Sequence, residues 1–116
     1  MKIRIKGNSV RYRLTKTDVE RFSNNGYLQE QTVFGDGVLT YALQIFDSNQ
    51  LSASFEDNKI TIFMPDTMVE SWVKTDRVGF EEINAQLHLL IEKDFKCLDN
   101  VAEDQSDNYP NPLLHC

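Results

Sequence analysis

Three residues near one end of this chain carry side chains that hold transition metals. Cys97, His115 and Cys116 are thiol and imidazole donors of the kind that bind zinc or another borderline metal. Seventeen residues separate Cys97 from His115, enough chain to loop back. His88, a tail carboxylate, water or the terminal carboxylate would supply a fourth ligand. Pro110 and Pro112 stiffen the approach, and Leu113 and Leu114 could anchor it against a core. The competing reading makes Cys97 a small core residue, since it continues the parity of Ile91 and Phe95, and leaves His115 and Cys116 at a loose end.

A second group could hold an anion. Arg4, Arg11 and Arg13 alternate with apolar residues along two short segments, and such guanidinium groups clamp phosphate or carboxylate. The plainer alternative is a basic outward face that keeps a sheet edge soluble. His88 stands among Gln86, Glu92 and Asp94 and reads as a half-exposed, solvated histidine. No glycine-rich phosphate loop, paired-cysteine motif, zinc-protease helix or nucleophile elbow is present. The carboxylates fall in no pattern that isolates an acid/base pair. The tail stretch "EDQSDNYPNP" has loosely spaced calcium-type donors but lacks the loop glycine and the closing glutamate.

Charge narrows the partners. The net charge is −6 over 116 residues. Residues 1–21 hold seven Lys/Arg against Asp18 and Glu20, so the remaining chain carries five basic residues against sixteen acids. A chain this acidic outside one segment lacks the broad positive surface that phosphate backbones need, which argues against nucleic acid as a partner. No apolar run approaches the roughly 20 residues of a membrane span, and the N-terminal segment lacks the apolar core of a signal peptide. These features predict a cytoplasmic protein with no membrane partner, whose two cysteines are thiols or ligands rather than a disulfide.

The elements that must position these residues follow from periodicity. "KIRIK" and "VRYRL" alternate strictly around Gly7-Asn8 and predict a hairpin. "TKTDVERFSNNG" predicts a helix with Thr15 as N-cap, Asp18 completing a capping box, Val19 and Phe22 on the buried stripe, and Gly26 as the left-handed C-cap. "YLQEQTVF", "VLTYALQI", "LSASFE" and "KITIFM" predict four strands joined by tight turns, read as an antiparallel meander. "PDTMVESWVK" predicts a second helix, with Pro65 at its first position and a Met68, Val69, Trp72, Val73 stripe in the core. "VGFEEI" and "QLHLLIEKDF" predict two last strands. No internal repeat is visible. The order ββ-α-ββββ-α-ββ predicts an α+β fold: a mainly antiparallel, curled sheet of about six to eight strands with two short helices. Residues 1–98 form the single domain, and residues 99–116 an acidic tail rich in turn residues.

The stretches "MKIRIKGNSVRYRLTKTDV", "QLSASFEDNKITIFMP" and "LLIEKDFKCLDNVAEDQSDNYPNP" together resemble a small family of uncharacterised bacterial proteins of about this length. The resemblance covers nearly the whole chain. It implies a bacterial single-domain protein and carries no activity or catalytic residue. The residues themselves favour a small binding or interaction module for an anion or a protein, with zinc or another transition metal as the candidate cofactor of the tail. The alternatives are a small enzyme whose carboxylates and arginines converge only in three dimensions, and a self-associating structural protein. Monomer and homodimer are both open.

Overall fold

The computed structural model describes residues 1–95 and 106–110. Eight strands and two helices follow in the expected order: β1 (Lys2–Lys6), β2 (Ser9–Leu14), α1 (Lys16–Asn25), β3 (Tyr27–Phe34), β4 (Gly37–Phe46), β5 (Ser52–Glu56), β6 (Lys59–Pro65), α2 (Asp66–Lys74), β7 (Gly79–Asn84) and β8 (Leu87–Lys93). The fold is α+β, as the alternation predicted.

Local chemistry explains the joints. Between β5 and β6, Asp57 and Asn58 both take left-handed backbone, φ 52° and 61°, the pair of conformations a type I′ hairpin turn needs. The Thr15 hydroxyl accepts from the Asp18 N–H at 3.3 Å, and the Asp18 carboxylate accepts from the Thr15 N–H at 3.1 Å, which closes the capping box of α1. At the other end Gly26 has φ 74° and its N–H reaches the Phe22 carbonyl at 2.7 Å. In α2, Pro65 is the N-cap itself and Asp66 is the first helical residue, one step later than predicted. Trp72 is fully buried and donates its indole N–H to the Val78 carbonyl at 3.0 Å.

The strand order corrects the meander. The eight strands form two four-stranded sheets, β1-β2-β8-β7 and β3-β4-β6-β5. Each sheet consists of two antiparallel hairpins joined through a central parallel pair, β2 with β8 and β4 with β6. The turn after β4 does not make a hairpin. Fully buried Leu51 leads β5 past β6 to the far edge of the sheet, its N–H held by the Glu82 carboxylate at 3.0 Å.

This order also reveals an internal repeat that the sequence reading missed. β1-β2-α1-β3-β4 and β5-β6-α2-β7-β8 are the same ββαββ unit, and each unit gives one hairpin to each sheet. The registers coincide. Tyr12 lies beside Ile91 and Ile62 beside Leu43. Over the first hairpin and helix, counterparts stand fifty positions apart: Val10 and Ile60, Leu14 and Met64, Val19 and Val69, Phe22 and Trp72, all apolar. Backbone bonds repeat as well, with His88 N–H to Asn8 O and Thr40 N–H to Asn58 O both at 3.0 Å. The molecule therefore has an internal two-fold, and the core sits on it: Tyr12, Leu43, Ile62 and Ile91 are fully buried between the sheets.

Residues 106–110 pack at the start of α1. The Asp107 carbonyl accepts from the Lys16 N–H at 3.1 Å, and its carboxylate accepts from the Thr17 hydroxyl at 3.0 Å. Tyr109 pairs with Phe95, ring centres 5.8 Å apart, and donates its N–H to the Asp94 carbonyl at 2.8 Å. Among the described residues, no helix is long and apolar enough to cross a membrane.

Two predictions follow from this packing. A Cβ on Gly79 would run into the Ile91 carbonyl and approach Glu92 Cα to 2.9 Å. Gly79→Ala should cost about 1–3 kcal/mol by overpacking, whereas Gly37→Ala, with nothing within 4 Å, should stay within about 0.5 kcal/mol; denaturant melts compare them. For the second, hydrogen bonds from Thr15 and then Thr17, aided by the Lys16 charge, hold the Asp107 carboxyl below the ordinary aspartate value of 3.8. A carboxyl lowered by folding adds stability above its ordinary value, and that stability is lost as pH falls through the folded one. The melting temperature should therefore drop on acidification below about pH 4, and Asp107→Asn should make the drop shallower.

Candidate binding groove

Chain direction places the four hairpin turns together. β2 and β8 run parallel with Ser9 beside His88, so the β1-β2 turn lies next to the β7-β8 turn. There the Asn8 side-chain amide donates to the Gln86 carbonyl. The same parallel arrangement sets the β5-β6 turn beside the start of β4. Both helices begin at the opposite ends of β2 and β6. One end of the molecule is thus closed by helices, and the other is open between the hairpins.

At the open end the sheets part around an apolar groove of about 570 Å³. Its lining falls into two-fold partners: Ile5 with Phe55, Val10 with Ile60, and Leu39 with Leu87. Leu89, Ala53 and Ser54 complete it, and Ser54 is the lone polar residue of that lining. Ile5 and Phe55 form the rim and are 56% and 68% exposed. Alternation predicted each of these apolar residues on an inward face, and they are. Periodicity carries no signal that the sheets diverge toward the turns, so the groove was not legible.

Deeper on the two-fold, the Tyr12 hydroxyl donates to the Ile60 carbonyl at 3.3 Å and ties β2 to β6 across the sheets. The Tyr41 hydroxyl donates to the Met1 carbonyl at 3.1 Å. Burial pushes both phenols above their usual range, so each stays a protonated donor at neutral pH and serves as a tie rather than a base.

The sequence-predicted residues lie elsewhere. Arg4, Arg11 and Arg13 share the outer face of the first sheet, opposite the isoleucines of β1, and Arg4 stands directly across from Arg11. Glu92 on β8 serves both neighbours, with its Oε1 at 3.3 Å from Arg11 Nε and 3.5 Å from Arg13 Nε. His88 is on the same face, its Nε2 at 2.8 Å from Glu81 Oε2, and is half-exposed as predicted. Cys97, His115 and Cys116 lie outside the described residues. Among the described residues, no three His, Cys, Asp or Glu side chains gather as a metal site.

Fold and groove together define a duplicated ββαββ domain with an apolar cleft on its internal two-fold. Comparison by sequence places it more narrowly. The chain belongs to the DUF7009 family, a family of unknown function whose model matches residues 1–113. No curated protein matches the chain, and no solved structure does.

Proposed function

We propose that this protein is a binding module that takes a neutral, apolar small molecule into the groove on its two-fold. The observation that carries the reading is the groove itself: about 570 Å³, inside the ~300–1,000 Å³ range of ligand sites, and lined by apolar side chains at the open end of the sheets. Apolar surface left facing water at the mouth is a standing cost that an apolar ligand relieves. The lining holds no ionisable group among the described residues, which favours a neutral ligand over an anion or a cation. An enzyme reading would need an acid, a base or an activated nucleophile there; Ser54 has no base beside it in the lining.

A neutral fluorescent naphthylamine probe tests this. It should bind saturably at one site, and a neutral aliphatic alcohol should displace it. Ala53→Trp, which fills the groove, and Phe55→Ser, which strips its rim, should each weaken binding at least tenfold with little change in melting temperature. Non-saturable binding, or equal binding by the filled variant, would overturn the reading.

A second, independent reading concerns the basic face. Two arginines directly across a strand pair repel each other, and Arg4 and Arg11 are so placed, with Glu92 compensating one side of the cluster. A small anion such as phosphate relieves that repulsion. Phosphate should then raise the melting temperature more than chloride at equal ionic strength, and Arg11→Ala should erase the difference. Equal shifts from both salts would leave the arginines simply solvated.

A further inference from the structure

The internal repeat supplies a comparison that singles out one sheet edge. Four strands are edges: β1, β7, β3 and β5. Natural sheets guard such edges with charge or brevity, because an open row of N–H and C=O groups templates pairing with another chain. β1 carries Lys2, Arg4 and Lys6, β5 is five residues long, and β7 carries Glu81 and Glu82. β3 is the counterpart of β7 in the other half, yet it runs eight residues against six and carries the single charge Glu30. Its hairpin projects beyond the cover of the opposite sheet, so every residue from Gln29 to Phe34 is exposed. The projecting part ends in apolar side chains, with Val33 76% and Phe34 55% exposed.

We infer that β3 is where a second copy of this chain adds, β3 to β3, joining two four-stranded sheets into one of eight strands. The strand is self-complementary in one register. Phe34 and Gly37 flank a two-residue turn, so they form a hydrogen-bonded pair. Alternation then directs the backbone groups of Tyr27, Gln29, Gln31 and Val33 away from β4, toward an incoming strand. A two-fold normal to the sheet brings like faces together. Centred on Gln31, it sets Gln29 opposite Val33, Leu28 opposite Phe34, and Glu30 opposite Thr32. The amides of the two Gln31 side chains meet on the axis. Shifting the centre to Glu30 would place two carboxylates face to face, a like-charge pair that disfavours it. A second copy is the occupant because the strand's own sequence completes the pairing: it brings Phe34 to Leu28, it meets Glu30 with a hydroxyl, and among the described residues no other edge is both long and unguarded.

Light scattering after size exclusion tests the inference on the full chain. The wild-type mass should approach twice 13.4 kDa at high micromolar concentration. Gln31→Lys, which sets two ammonium groups on the axis, should return the mass to that of one chain, with a melting temperature equal to that of the wild type at a dilution where both are monomers. The register has its own readout, made in a Cys97→Ser/Cys116→Ser background. Hydrogen-bonded antiparallel partners lie about 5.5 Å apart at Cα, within the ~4.4–6.8 Å a disulfide spans. Gln31→Cys should therefore cross-link on mild oxidation, and Gln29→Cys, facing Val33 of the partner subunit, should not. A monomer at every concentration, or equal cross-linking at both positions, would overturn the inference.

Discussion

The parallel pairing of β2 with β8 and of β4 with β6 is the constraint on which the rest of the molecule depends. Each unit exports one hairpin to each sheet, so neither sheet exists until both halves are present. Ser9 must find His88, 79 positions further along the chain, and closing such a loop is entropically costly before any contact rewards it. What offsets that cost is the shared core. Tyr12 beside Ile91 and Ile62 beside Leu43 bring residues of both halves into one buried layer. The two helices then close one end only, with Phe22 and Trp72 buried at matching positions. The groove is the consequence at the other end, where hairpins pair within their sheets and, among the described residues, no helix fills the space between them.

Much of the local structure was legible in the residues. The capping box of Thr15 and Asp18, the Gly26 cap, the Asp57-Asn58 turn and the two-residue alternation of β1, β2, β5 and β6 all have short-range chemical causes, and all are present. Strand order was not legible. Asp47-Ser48-Asn49-Gln50 has turn chemistry, but turn chemistry fixes where a chain bends and not which strand it then meets. A parallel pair leaves no turn between its strands to read. The repeat escaped for a related reason. Packing conserves apolar character and position, as in Val10 with Ile60 and Phe22 with Trp72, while the opposite face of the same strands differs, as Arg11 and Arg13 do from Thr61 and Phe63.

For the site, the sequence placed the arginines on their face correctly and carried no sign of the groove. Arg4, Arg11 and Arg13 do stand together opposite the isoleucines. Their visibility came from charge in an acidic chain, which says nothing about concavity. The groove residues were indistinguishable from ordinary core, because Ile5 and Phe55 alternate just as the buried Tyr12 and Ile62 do. Only the divergence of the two sheets toward the turns separates a rim from a core, and that divergence depends on how both hairpins of a sheet twist together.

Duplication also sharpens where function should be sought. Positions that match across the two-fold serve the fold, since each half must solve the same packing problem. Positions that differ are free of that demand. Three differences between the halves lie on the surface. The outer face of the first sheet gathers arginines where the second sheet has Thr61 and Phe63. The β3-β4 hairpin is longer than β7-β8 and ends in Val33, Phe34 and Val38. Across the groove, small Ile5 faces large Phe55, so a symmetric mouth becomes an asymmetric one. An asymmetric mouth on a symmetric scaffold gives a ligand one preferred orientation. It is the kind of difference that packing alone does not require, because both side chains are largely exposed.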